Sequence, residues 1–133
     1  MLRDWGFEAG SNPFSGTADP ARADYDIYFD SGPDRIYLEA KNDLRSATTP
    51  FFCLERKAIE HSLAPLFVYH IRNPDLIWCF HRWELDDLLN SPSYRHIAAG
   101  QYQEENVLVP KEVLGSVGRP FEQAIRLLTK QAA

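Results

Sequence analysis

Asp26, Glu39 and Lys41 are the residues whose types and spacing could do chemistry together. Asp26 lies in the run Asp26-Ile27-Tyr28-Phe29, and Glu39 and Lys41 lie in Ile36-Tyr37-Leu38-Glu39-Ala40-Lys41. Both runs alternate apolar and polar side chains, the pattern of a half-buried strand. Alternate side chains of a strand share a face, so Tyr37, Glu39 and Lys41 point one way and Ile36, Leu38 and Ala40 the other. Two carboxylates on neighbouring strands can hold a hard divalent cation through oxygen. An ammonium beside them can orient a water or balance charge on a phosphate. The chemistry that suits this set is metal-assisted cleavage of a phosphodiester.

The elements that must position these residues follow from pattern. Strands are expected at about Tyr25–Phe29 and Ile36–Lys41, joined by the turn Asp30-Ser31-Gly32-Pro33-Asp34. Met1–Trp5 reads as the last turn of a helix, Phe7–Ser11 as a short strand, and residues 12–20 as a Gly- and Pro-rich loop. Thr49 followed by Pro50 reads as a cap and first position of a helix running to about Leu63. Its buried stripe would be Phe51, Leu54, Ala58 and Ser62. Leu66–Ile71 and Leu76–His81 are expected to pair around Asn73-Pro74-Asp75, with a short helix at Trp83–Leu89 after them. Gln101–Val109 is either an edge strand or irregular. Pro120 opens a last helix that buries Phe121, Ala124, Ile125 and Leu128. The sum is a single α/β domain spanning residues 1–133, built around a small mixed sheet.

With 133 residues, 44% of them hydrophobic and 25% charged, the chain has the composition of an ordinary globular domain. No apolar run approaches the ~20 residues needed to cross a bilayer, and residues 1–5 lack the pattern of a signal peptide. Cys53 and Cys79 are too isolated in sequence for a zinc or redox pair, which points to a reducing compartment and a cytoplasmic location. The net charge of −5 excludes a generically basic nucleic-acid binder. Yet residues 35–82, which hold Glu39 and Lys41, carry seven basic and five acidic side chains, against two and seven in residues 1–34. His70, Cys79 and His81 are spaced too loosely for a zinc site. Phe51, Phe52 and Trp78 read as core residues, whereas Phe14, in its Pro-Phe-Ser-Gly loop, could stack on a base. The run Trp83–Leu89 reads as a solvated helix face.

In order and spacing the chain resembles the PD-(D/E)xK nuclease superfamily, and within it the archaeal and phage-type Holliday junction resolvases. The resemblance runs through Leu2-Arg3-Asp4-Trp5-Gly6-Phe7, Ser15-Gly16, Tyr25-Asp26-Ile27, Leu38-Glu39-Ala40-Lys41, the Phe51–Ile71 segment and Leu76–Leu89. It implies a restriction-endonuclease-like mixed β-sheet flanked by helices. It also implies a homodimeric endonuclease, dependent on Mg2+ with Mn2+ as a substitute, that resolves four-way DNA junctions in recombination and repair. Asp26, Glu39 and the Ala40 carbonyl would hold the metal, Lys41 would position the attacking water, and Ser15 would lie on a loop closing near the cut. Arg22, Arg45, Arg56 and Lys57 would contact the DNA backbone. Two features depart from the family. Its further Glu on the first helix has no counterpart here, since Glu8 falls in a different element, and the loop before Asp26 is acidic where the family is basic. Two alternatives stay open: a nuclease of the same superfamily with a restriction or repair substrate, and a non-catalytic DNA-binding module with the same fold.

Overall fold

In the computed structural model the described residues are 9–11, 26–31, 33–99 and 103–132. The chain runs β1 (Ala9–Ser11), β2 (Ile27–Ser31), β3 (Asp34–Asp43), β4 (Phe51–Glu55), α1 (Arg56–His61), β5 (Leu66–Ile71), β6 (Leu76–His81), α2 (Arg82–Asn90), β7 (Arg95–Ala99), β8 (Glu104–Pro110), β9 (Arg119–Pro120) and α3 (Phe121–Ala132). Short 3-10 turns follow β3 and β8.

A six-stranded mixed sheet of order β1-β2-β3-β5-β6-β9 carries the architecture, and a second sheet of order β4-β8-β7 packs against it. β2 and β3 are antiparallel, β3 and β5 parallel, β5 and β6 antiparallel. Burial on both faces explains why Leu66–Ile71 is an almost unbroken apolar run. One face packs Phe29, Leu38, Leu66, Val68 and Cys79 beneath Phe121, Ala124 and Ile125 of α3. The opposite face packs Phe67, Tyr69, Ile71 and Phe80 against α1, α2 and the second sheet. There Phe80 stacks on Phe52 at 5.8 Å and meets the edge of Tyr69 at 5.5 Å, contacts that add specificity to the buried area. Among the described residues no helix is long and apolar enough to cross a membrane.

The β2, β3, β5, β6, α2 and α3 expectations hold within a few residues. The expected helix from Pro50 to Leu63 does not. Phe51–Glu55 is a strand, and only Arg56–His61 is helical. Phe52 and Leu54 turn inward and pair across β8 with Val109 and Val107, while Cys53 and Glu55 face the other way. Thr49 closes a turn instead of capping a helix: its hydroxyl accepts the Phe51 N–H at 3.4 Å. Residues 104–110 form the central strand of the second sheet, so they are not an edge, and β7 was not anticipated. On α2, Asp86 and Asp87 are exposed as expected, but Glu84 is turned inward. Met1–Trp5 lies outside the described residues, and so does the Leu128 side chain.

Candidate active site

β2 begins at Ile27, which pairs with Leu38 of β3, and Asp26 stands immediately before it. The Asp26 N–H donates to the Leu38 carbonyl at 2.9 Å, and its Oδ2 accepts the Ala40 N–H at 2.7 Å. This second bond turns the carboxylate toward β3. Lys41 stands on the same face as Glu39, its Nζ 3.3 Å from Glu39 Oε1. Two carboxylates and one ammonium therefore meet on one patch of the sheet.

Glu39 is only 8% exposed. Burial pushes its carboxyl above the ordinary carboxylate range, Lys41 pulls it down, Asp26 pushes it up, and a hydrogen bond from Ser62 pulls it down again. The Ser62 hydroxyl donates to Glu39 Oε2 at 3.0 Å and accepts the Ala64 N–H at 3.2 Å. Arg82, at the start of α2, fixes this segment from behind by donating to the carbonyls of Ile59, Ser62 and Ala64. A net upward shift, with a second acid facing the first, marks a site where a cation would relieve repulsion. Hard oxygen donors of this number suit Mg2+, which is held by one or two carboxylates and keeps waters for the rest of its shell. Among the described residues no group of three or more His, Cys, Asp or Glu could hold a metal ion; the acidic donors this patch would offer a cation are the two carboxylates.

Solved structures that resemble this arrangement of strands include three nucleases. A nuclease from a fusselovirus superposes with a TM-score of 0.55 over 98% of this chain and 82% of its own, at 11% identity. A Holliday junction resolvase from Archaeoglobus fulgidus, an archaeal hyperthermophile, gives 0.53 over 92% and 84%, at 14% identity. A bacterial homing endonuclease gives 0.54 over 98% and 82%, at 13% identity. The chain shares with these nucleases a fold of a mixed sheet flanked by helices. No protein-family model matches it, and no curated protein matches it by sequence, so the likeness to these nucleases is one of fold.

Within this fold the remaining expected residues fall in different places. Ser15 and Arg22 lie outside the described residues. Arg45 is exposed just past the end of β3, on the Lys41 side of the patch. Arg56 is engaged inside the fold, donating to Glu105, Glu60 and the Leu89 carbonyl. Lys57 is exposed, 3.6 Å from Glu104.

Sequence reasoning missed Ser62, Arg82 and Asp43. Asp43 is 8% exposed and accepts the N–H groups of Cys53 at 2.6 Å and Ser46 at 3.2 Å. It thereby ties the end of β3 to the free edge of β4, joining the second sheet to the strand that carries Glu39 and Lys41. Only its period-2 position, in register with Glu39 and Lys41, hinted that it faces the same way.

Proposed function

We propose that this chain is a metal-dependent DNA endonuclease, and that its substrate is branched DNA of the four-way-junction type. The convergence of Asp26, Glu39 and Lys41 on one patch of the sheet carries the reading. Asp26 and Glu39, with the Ala40 carbonyl, would hold Mg2+ or Mn2+. A cation held there would supply Lewis-acid chemistry, lowering the pKa of a water and polarising the phosphate. Glu39 must be ionised to take part; burial opposes that form, and Lys41 and Ser62 favour it. The Lys41 ammonium then faces the space beside Glu39, where it orients the attacking water and offsets charge building on the phosphorus oxygens. Arg45 and Lys57, both exposed, suit sequence-independent contact with the sugar–phosphate backbone. Resolution of a four-way junction needs two symmetric cuts, and a homodimer supplies two such sites.

Labelled four-way junctions, flaps, nicked duplexes and linear duplexes incubated with Mg2+ test this. The expected result is cutting that favours the junction, stops in EDTA, and falls by at least about a hundredfold in Lys41→Ala and Glu39→Ala. Equal cutting by these variants removes the assigned roles. Tight metal-independent binding without cutting makes the protein a binding module.

A further inference from the structure

A cleft of about 360 Å³ opens on the far side of Lys41 from Glu39, between the end of β3 and the outward face of the second sheet. Its size is in the range of small-ligand sites, about 300–1,000 Å³. Lys41 and Arg45 line it from β3 and the turn after it, Glu55 and Glu104 from the second sheet, and Tyr69 from β5. The β3–β5 register sets Lys41 beside Tyr69, so the cleft is continuous with the candidate active site. Asn106 also borders the cleft, but its side chain is committed: its Nδ2 donates to the Glu104 carbonyl at 3.0 Å, and its Oδ1 lies 3.1 Å from Cys53 Sγ.

The cleft is therefore electrically two-ended. A bare anion entering it meets Glu55 and Glu104, and a bare cation meets Lys41 and Arg45. A nucleotide satisfies both ends, because it carries its negative charge on the phosphate and N–H donors on the base. Glu55 and Glu104 stand on the paired strands β4 and β8, and Glu104 is 3.6 Å from the Lys57 ammonium. Burial and the neighbouring Glu104 push the Glu55 carboxyl up, and Lys41 acts against them. The oxygens these two side chains turn to the cleft are hydrogen-bond acceptors. Acceptors recognise exocyclic amino groups, as carboxylates recognise the cytosine N4 amine.

We infer that this cleft seats one unpaired nucleotide next to the cut phosphate, and that Glu55 and Glu104 select a base bearing an amino group over thymine. The inference rests on the nuclease reading above and narrows its substrate to DNA in which a base can leave the stack. Extrusion is least costly at a branch or mismatch. Lys41 then serves both sites, facing the phosphate from the cleft and the water from the Glu39 side.

The test uses four-way junctions carrying each of the four bases in turn at the positions flanking the cut, with matched linear duplexes. Thymine at one flanking position should slow cutting at least about fivefold relative to adenine, cytosine or guanine. The isosteric variants Glu55→Gln and Glu104→Gln, shown by thermal melting to be folded, should abolish the difference. Separately, 2-aminopurine at that position should brighten when the protein binds in EDTA, and Glu55→Gln should weaken this. Equal rates for all four bases, or a thymine penalty that survives both substitutions, overturns the inference and leaves the nuclease reading intact. Absence of cutting on every substrate overturns the nuclease reading. In that event a fluorescence rise dependent on Glu55 still supports the cleft, and a flat signal removes it.

Discussion

Replacing Ser62 by alanine isolates the support behind Glu39, the carboxylate proposed to hold the cation. The Ser62 hydroxyl is 3.0 Å from Glu39 Oε2, and both residues are buried. A hydrogen bond to a charged group is worth about 1.5–3 kcal/mol. Removing it should therefore weaken cation binding roughly 10- to 100-fold, the range seen for groups that orient metal ligands. The direction with pH is also fixed. Burial already raises the Glu39 carboxyl, and Ser62 is one of the groups holding it down. Without Ser62 the carboxyl rises further, so the loss of cleavage on acidification should begin at a higher pH. Rate–pH profiles at saturating and limiting Mg2+, with Mn2+ affinity by calorimetry, measure both effects. Ser62→Thr, which keeps the hydroxyl, should retain most of the wild-type behaviour. An unchanged acid limb and an unchanged Mn2+ affinity in Ser62→Ala would refute the claim that this bond supports the site.

Two further outcomes concern the frame. Asp43→Ala strands the N–H groups of Cys53 and Ser46 and should cost about 2–4 kcal/mol in urea unfolding. Asp43→Asn should cost less because one acceptor survives, and an unmoved midpoint in Asp43→Ala contradicts the account. Glu84 gives a pH signature: burial alone would raise its carboxyl, but the N–H groups of His81 and Gly118 and the Arg119 guanidinium together hold it below the ordinary value. A depressed carboxyl stabilises the fold above the unfolded value of about 4.3, and the contribution is lost as pH falls through the lower folded value. The stability gap between wild type and Glu84→Gln should therefore be widest near neutral pH and close on acidification; a gap that is constant from neutral to acidic pH contradicts this.

The parts of the fold read from sequence are those whose signals are local. Leu66–Ile71 and Leu76–His81 are apolar runs split by Asn73-Pro74-Asp75, and they pair as expected. Glu39 and Lys41 sit two apart in an alternating strand, so their shared face followed from the period alone. Phe51–Glu55 misled because the four apolar residues Phe51–Leu54 after Thr49-Pro50 fit a helix start as well as a strand. Its partners decide the matter: Val107 and Val109 across β8, and Asp43 bonding to its Cys53 N–H. Those partners lie 10 to 57 positions away, beyond the reach of periodicity. Ser62 was read as part of a helical stripe, and its actual role depends on α1 ending at His61. The acid pair Glu55–Glu104 joins two strands of that same unforeseen sheet.

β3 is shared by the candidate site and by both buried layers, with Leu38 facing α3 and Glu39 the opposite side. Sliding it one position against its neighbours would pull Leu38 out of the layer beneath α3 and drive the Glu39 carboxylate into it. Alignment errors in this strand are thus punished by the oily interior before chemistry is ever attempted. A molecule of this protein that has closed its interior has, by the same act, brought Glu39 and Lys41 side by side.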